Sequence, residues 1–275
     1  MVSGLLLVLV PASLLVATIA RLTQRRTAAH VARAGALVGA LYVAWLVAVD
    51  GPMLKHLYRW IEVGDLQLGV ALSGTGYSAA LLLLLTLWVF LAPFLCGKEE
   101  PGSAAALDLA AAGVGTVVIA DSDLLSLMGC EVLLIGSFLY VIGLPVASVA
   151  ARRLLFMTRL GGLSLMASLV ASPVFGTTDV APWFVLLTAG VLVGAWPFHT
   201  WFEDLGANGT ATGIRLISMI AGVSLCLRVA STIPQAALAV LALSALLSVS
   251  AALATQDLFR AQIFTVAAQG GIVLA

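Results

Sequence analysis

Long runs of apolar residues, separated by short polar connections, constrain this 275-residue chain more than any other feature. About ten such runs are long enough, at roughly 17 to 25 residues, for an α-helix to cross the hydrocarbon core of a bilayer. They cover residues 2–20, 34–50, 76–97, 103–120, 124–145, 155–176, 181–200, 210–230, 234–254 and 258–275. The sequence therefore predicts an all-α polytopic membrane protein with about ten transmembrane helices.

The composition agrees with this prediction and argues against other classes of protein. With 62% apolar and 9% charged residues, the chain carries more apolar surface than a soluble domain of its size could bury. Its 13 basic and 13 acidic side chains cancel, so its charge gives no indication of nucleic-acid binding. We find no redox motif, nucleotide-binding loop or metal-ligand cluster in the sequence, and we expect no cofactor.

The basic residues of the connections predict the orientation of the chain. Four arginines follow the first span, and by the positive-inside rule they place that connection in the cytoplasm and the amino terminus outside. Alternation of the spans puts most basic residues other than those of the eighth span on that side: Arg21, Arg25, Arg26, Arg33, Lys98, Arg152, Arg153, Arg159 and Arg260, against Lys55 and Arg59 outside. We predict a multi-pass protein of the cell inner (plasma) membrane. Within its outer connection 51–75, the segment 57–65 should lie along the membrane interface.

Acidic residues mark the fifth span. Asp121 and Asp123 precede it, where a carboxylate can either cap the helix or take up protons. Glu131 lies about two turns inside, and no Lys or Arg stands three or four residues away to pair with it. It is either a neutral acid bonded within the bundle or a proton-exchanging acid, and the cost of an idle carboxylate in lipid favours the second role.

The stretch from Ala189 to Leu227 contains a polar interruption between two apolar spans. Pro197 removes a backbone donor, so we predict that the seventh helix is discontinuous there. His199 follows at once and could transfer protons or simply make an interfacial hydrogen bond. Asp204 stands at the cytoplasmic edge, either as a solvated loop acid or as part of an ion path.

The eighth span contains two arginines. Arg215 lies too deep to reach water easily, so it needs an acid or a set of carbonyls, and Glu131 and Asp204 are the candidate acids. Arg228 stands at the outer end, where its long side chain can reach the interface.

Polar residues continue in the tenth span. Gln262, Thr265 and Gln269 share roughly one helical face, which should contact protein or water. The run is still apolar at Ala275, so we expect the chain to be cut short there. Asp257, Thr265 and Gly270 repeat the spacing of Asp123, Glu131 and Gly136, as an inverted repeat would.

Three of these stretches resemble the antiporter-like proton-translocating family. This family comprises the large membrane subunits of respiratory complex I, the Mrp cation/proton antiporters, and the membrane arms of related hydrogenases and inorganic-carbon uptake systems. DLLSLMGCEVLLIG (123–136) is similar to its fifth helix with the glutamate at Glu131, WPFHTWFED (196–204) to the segment ending its seventh helix, and DLFRAQIFTVAAQGG (257–271) to its later Asp-Leu-Lys-Arg pattern. The family's seventh-helix lysine falls at Leu192, and its eighth-helix histidine near Arg215 or Ile217.

The resemblance implies a proton path along Glu131, His199, Arg215, Asp204, Thr265 and Gln269, with the helix break at Pro197. In the family, a buried Glu and a Lys are coupled through their charges. Here Arg215 would have to supply the charge that the lysine supplies. The implied domains are three amino-terminal helices (1–102), a first five-helix repeat (103–232) and the start of a second, incomplete one (233–275).

The implied function is a proton-translocating or cation/proton antiporter-like subunit, partnered by other membrane subunits and moving protons, with Na⁺ or K⁺ as further candidates. Whether it belongs to an enzyme stays open, since it would be at most a membrane subunit of an NADH:quinone oxidoreductase-like translocase. A degenerate scaffold subunit, a membrane partner in inorganic-carbon uptake and a stand-alone secondary transporter are the alternatives.

Overall fold

The computed structural model describes residues 2–63, 66–95, 101–142, 147–175, 180–195, 197–204, 209–230 and 235–254. These residues form helices and one β-hairpin. In chain order the elements are α1 (Val2–Leu22), α2 (Arg26–Asp50), β1 (Met53–Val63), β2 (Leu66–Gly74), α3 (Gly76–Leu95), α4 (Pro101–Ile119), α5 (Asp123–Ile142), α6 (Ala147–Phe175), α7 (Ala181–Val193), α8 (Thr200–Asp204), α9 (Gly209–Val229) and α10 (Gln235–Ala254). The predicted tenth span, 258–275, lies outside the described residues.

The helices make this a multi-pass membrane protein. Within the described residues, 6 helices are long and apolar enough to cross a bilayer, and three shorter apolar helices accompany them. Most begin and end within a few residues of a predicted span. However, α2 begins at Arg26 and α6 at Ala147, well before the predicted positions 34 and 155.

The early starts of α2 and α6 correct the placement of three arginines. Arg33, Arg152 and Arg153 were expected in connections, but all three lie inside helices. Apolar runs end at the first charge, whereas a helix continues through arginine, which has a good helix propensity. Arg33 of α2 and Arg159, which the predicted span 155–176 already contained, both meet acids of neighbouring helices.

The prediction of an all-α protein is wrong for residues 53–63 and 66–74, which form a two-stranded antiparallel sheet. β1 and β2 pair from Met53 with Gly74 to Val63 with Leu66. β1 contains Tyr58, Trp60 and Ile61, residue types that favour strands. The backbone N–H of Asp121 donates to the carbonyl of Ala71 at 2.9 Å, which fastens the hairpin to the start of α5. We call this side of the molecule the hairpin side.

The backbones of α4 and α5 touch through glycines. A Cβ added to Gly113 would lie 2.4 Å from the backbone nitrogen of Leu133, and one added to Gly136 would lie 2.5 Å from that of Ala110. Small residues allow such close approach of helices in membranes, where dispersion contacts replace the hydrophobic effect as the driving force. This contact joins the amino-terminal helices to the α5–α6–α7–α9 cluster.

Candidate functional site

Glu131 forms an ion pair with Arg159 across the α5–α6 contact. Nη1 of Arg159 donates to both carboxylate oxygens, at 2.8 Å to Oε1 and 2.7 Å to Oε2. The side chains are 33% (Glu131) and 55% (Arg159) exposed, so the pair lies at the surface of the chain. Arg159 was not predicted as this partner, because it lies near the start of the predicted span 155–176 and was counted among the cytoplasmic basic residues.

Gly162 of α6 has no side chain and so leaves room for the carboxylate of Glu131. A Cβ on Gly162 would lie 3.2 Å from Oε1 of Glu131, whereas one on Gly161 would meet only side-chain carbons of α7 at 3.6 Å or more. The carboxylate of Glu131 therefore packs against the backbone of Gly162, which follows Arg159 by one turn on α6.

Arg215 binds a carbonyl on α8. Its Nε and Nη2 donate to the carbonyl oxygen of Phe202 at 3.0 and 2.6 Å. Of the two candidate acids for Arg215, Glu131 binds Arg159, and the side chain of Asp204 lies outside what the structure describes. The alternative requirement, a carbonyl acceptor for a buried guanidinium, is met by Phe202.

Backbone carbonyls near the carboxyl end of α7 accept hydrogen bonds from side chains outside the helix. The helix ends at Val193, and Gly194 takes the left-handed conformation with φ of 68°, as at many helix carboxyl termini. The indole Nε1 of Trp201 donates to the carbonyl of Val191 at 2.9 Å, and the hydroxyl of Ser218 donates to that of Leu192 at 2.7 Å. α7 and α9 are tied together at this end.

The other predicted path residues occupy varied positions. Pro197 is exposed and follows Gly194 by three residues, while His199 is 8% exposed in the segment before α8. Asp204 ends α8, and its side chain lies outside what the structure describes. Thr265 and Gln269 also fall outside the described residues.

Leu192 lines a small cavity between α5, α6, α7 and α9. Its volume is about 10 Å³, close to the space that one water molecule needs. Four of the lining residues carry hydroxyl groups: Ser137, Thr158, Thr188 and Ser218. Gly162, which abuts the Glu131 carboxylate, belongs to the same wall.

A second ion pair, which the sequence analysis missed, lies between α2 and α4. Nε of Arg33 donates to Oδ1 of Asp108 at 2.7 Å, and both side chains are 0% exposed. Asp108 is an acid inside an apolar helix, and that alone could have marked it, because ionisable residues in membrane spans are rarely idle.

A third ion pair stands on the hairpin side. Arg228 of α9 donates to Oδ1 of Asp123 and to the hydroxyl of Ser126, both on α5. Ser168 of α6 donates to the other carboxylate oxygen at 3.0 Å. Arg228, expected to reach the interface, is thus held by α5.

Comparison with solved structures identifies the fold. No family model and no curated protein matches the sequence. A chain of respiratory complex I from Thermus thermophilus superposes with a TM-score of 0.72 at 20% identity, covering 95% of this chain and 62% of that chain. A chain of the Mrp complex from Dietzia sp. DQ12-45-1b gives 0.80 at 20% identity, covering 100% and 34%. The chain has the antiporter-like fold.

A third match with the antiporter-like fold comes from an archaeal respiratory membrane complex, the membrane-bound sulfane sulfur reductase. Its TM-score is 0.78 at 15% identity, over 97% of this chain and 50% of that chain. The present chain thus spans between 34% and 62% of the length of these three chains. On this antiporter-like fold, the position that the motif resemblance assigns to a lysine is Leu192, and the cation that meets Glu131 comes from α6.

Proposed function

We propose that this chain is an ion-translocating membrane subunit of a multi-subunit, respiratory-type complex, and that protons act on its Glu131–Arg159 pair. The observation that carries the proposal is a carboxylate bound through both oxygens to a guanidinium within membrane-spanning helices. Charges at such depth are costly and are usually functional. We place the subunit in the cell inner membrane with its amino terminus outside, with about ten spans and a discontinuous seventh helix formed by α7 and α8.

The chemistry of the pair suits charge coupling. Arginine stays protonated in proteins, so Arg159 presents a fixed positive charge to the carboxylate of Glu131. A proton that reaches Glu131 neutralises the carboxylate and leaves the charge of Arg159 uncompensated. That charge then repels the next proton or cation nearby, so the binding of one ion changes the affinity for another. In this chain Arg159 would do what the resemblance assigns to a lysine at position 192.

The exposure of the pair supports a partner subunit. A guanidinium that is 55% exposed cannot remain against lipid at low cost, so another membrane subunit should cover this surface. A subunit that covers this surface would also exclude water from the Glu131–Arg159 pair, so that its charges interact strongly with nearby charges.

Proton uptake into vesicles tests the proposal. The chain is purified with the membrane proteins that accompany it, reconstituted with an internal pH-sensitive dye, and driven by an imposed potential. We expect Glu131→Gln to reduce uptake to background while the complex still assembles. Asp50→Asn, an exposed acid at the end of α2, is the matched control and should behave like the wild type. Undiminished uptake by an assembled Glu131→Gln complex would refute the proposal.

A scaffold subunit without transport is the second candidate, and one observation favours it. Leu192 stands where the resemblance places the coupling lysine, and Arg215 is held by the Phe202 carbonyl. For a scaffold, Glu131→Gln leaves transport by the whole complex unchanged, and loss of Arg159 lowers only the yield of assembled complex.

A further inference from the structure

A cavity on the hairpin side lies at the ends of the membrane helices, apart from the Glu131–Arg159 pair. Its volume is about 290 Å³, enough for roughly ten water molecules. The start of β1, the Ser73–Ser78 segment, the end of α4 and the carboxyl end of α9 form its walls. Because α3 begins and α9 ends at this level, the cavity lies where the helices reach the membrane surface. We call it the hairpin pocket.

Two charged side chains of opposite sign, Asp121 and Arg228, line the hairpin pocket. Arg228 donates one N–H to Asp123 and one to Ser126, and a guanidinium has five, so donors remain for a ligand. Its side chain is 20% exposed and therefore partly accessible. Asp121 is exposed, and within the described part of the chain its carboxylate has no hydrogen bond or ion pair.

Two serines, Ser73 of β2 and Ser224 of α9, also line the hairpin pocket. A hydroxyl inside a helix commonly bonds the carbonyl one turn earlier, as those of Thr86 and Ser250 do. Ser224 is only 7% exposed, yet neither its hydroxyl nor that of Ser73 has a hydrogen-bond partner among the described residues. Leaving a buried hydroxyl unbonded costs free energy, and a ligand that bonds it recovers that cost.

The edge of the hairpin pocket is apolar. Leu54, Tyr77 and Leu227 line the pocket and are 55%, 69% and 40% exposed. At the surface of a membrane protein such side chains contact lipid, and tyrosine is typical of the headgroup level. The pocket therefore combines charged and hydroxyl groups on its walls with an apolar edge, which is the pattern that suits a phospholipid.

The charges of the hairpin pocket favour a zwitterionic headgroup. A phosphate suits Arg228, and a cation suits Asp121. Because Asp123 already compensates Arg228, an anionic lipid would add negative charge beside two carboxylates. A primary ammonium brings three N–H donors for the carboxylate and the serine hydroxyls, whereas the quaternary ammonium of choline brings none.

We propose that the hairpin pocket binds the headgroup of one phosphatidylethanolamine molecule. The phosphate lies against Arg228, and the ammonium group lies between Asp121 and the two serine hydroxyls. The acyl chains leave over the apolar edge. Since Ser73 belongs to β2 and Arg228 to α9, the bound lipid fastens the hairpin to the helix ends. The site does not depend on whether the subunit moves protons.

Lipid binding to the purified complex tests the site. The full chain, with the membrane proteins that accompany it, is titrated in detergent with short-chain phosphatidylethanolamine, phosphatidylcholine or phosphatidylglycerol. Native mass spectrometry counts the lipids that stay bound. Water-soluble glycerophosphoethanolamine, which has the same headgroup but no acyl chains, forms a fourth series. We expect phosphatidylethanolamine to bind at the lowest concentration and the soluble compound to bind far more weakly.

Variants of the pocket locate the binding. Asp121→Asn removes the charge that the ammonium contacts, so half-saturation by phosphatidylethanolamine should require about tenfold more lipid or more. Asp50→Asn, an exposed acid of the same side that does not line the pocket, is its control. Ser224→Ala removes one hydroxyl and should weaken binding about fivefold, whereas Ser250→Ala should leave it unchanged.

Three results would overturn the proposal. Phosphatidylglycerol or phosphatidylcholine may not bind as tightly as phosphatidylethanolamine, because either result would contradict selection of a primary amine. Equal affinity for glycerophosphoethanolamine would assign the pocket to a soluble ligand. Wild-type affinity in both Asp121→Asn and Ser224→Ala would place the bound lipid elsewhere. If Asp121→Asn does not assemble, Ser224→Ala decides alone, because it takes only one oxygen atom from α9.

Discussion

Two acid–arginine pairs of this chain differ mainly in what surrounds them. The Arg33–Asp108 pair is 0% exposed on both sides, whereas Glu131 and Arg159 are 33% and 55% exposed. Opening the first pair would leave a charge inside the helix bundle, which costs far more than opening a pair at the surface. The Arg33–Asp108 pair, which we call the sealed pair, is therefore suited to holding α2 against α4. The Glu131–Arg159 pair, which we call the exposed pair, is the one whose charge can change.

The sealed pair is also incompletely bonded. Among the described residues, Nη1 and Nη2 of Arg33 are buried and have no hydrogen-bond partner. A buried pair in this condition adds little net stability compared with apolar residues of similar size, although removing one partner alone is costly. Three substitutions test this contrast and a fourth tests the α4–α5 contact, in order of decreasing expected effect on stability.

The largest effect should come from Asp108→Leu. It leaves the guanidinium of Arg33 buried without its acid, at a cost of about 3–5 kcal/mol. Thermal unfolding in detergent, followed by circular dichroism, measures this loss. The double variant Arg33→Met with Asp108→Leu should recover most of the stability, and a double variant as unstable as the single one would contradict a sealed charge as the cause.

Gly136→Ala should be the next most damaging change. The added methyl would lie 2.5 Å from the backbone nitrogen of Ala110, so α5 must move away from α4. Overpacking of this kind costs about 1–3 kcal/mol. Gly102→Ala is the control, because its Cβ meets nothing within 4 Å, and it should unfold at or slightly above the wild-type temperature. Equal behaviour of the two variants would show that α4 and α5 are not in backbone contact.

Arg159→Gln should affect stability little. In detergent without a covering subunit, water can reach the partly exposed side chains of this pair. Water-exposed ion pairs contribute about 0–1 kcal/mol, so the unfolding midpoint should stay near that of the wild type. The same assay as for Asp108→Leu allows a direct comparison. A loss as large as that of Asp108→Leu would mean that both pairs are structural, and the contrast between them would disappear.

Gly162→Ala should have the smallest effect on stability and still alter the exposed pair. Its Cβ would lie 3.2 Å from Oε1 of Glu131, and the partly exposed carboxylate can move by a few tenths of an ångström. We expect a change of roughly 0.5 kcal/mol or less. The infrared band of the isotope-labelled Glu131 carboxylate should shift in Gly162→Ala but not in Gly161→Ala, and identical shifts would show that Gly162 does not position Glu131.

Much of the helical framework could be predicted, but less of the site. Apolar runs located the spans because a helix in lipid must bury its own backbone polar groups. The β-hairpin was not predicted, because a pair of strands has no long apolar run that would mark it in the sequence. Glu131 was found from its cost in lipid, whereas Arg159 was not, because it lies near the start of the predicted span 155–176 and was counted with the cytoplasmic basic residues.

Partner choice was the least predictable property. Glu131 and Arg159 are 28 residues apart, and they meet because α5 and α6 turn those faces towards each other. Arg215 was expected to need an acid or a set of carbonyls, and the carbonyl of Phe202 is one acceptor that the structure shows. The proton-path roles of His199, Asp204, Thr265 and Gln269 stay predictions.

The sequence by itself determined that this chain crosses a membrane several times and that a few charged residues lie inside the spans, because transfer of side chains to hydrocarbon depends on composition alone. The tertiary structure decided which charges are sealed, which are exposed, and which acid meets which arginine. Helical periodicity fixes the residues that share one face of a helix, but the neighbour that this face meets depends on how the helices pack.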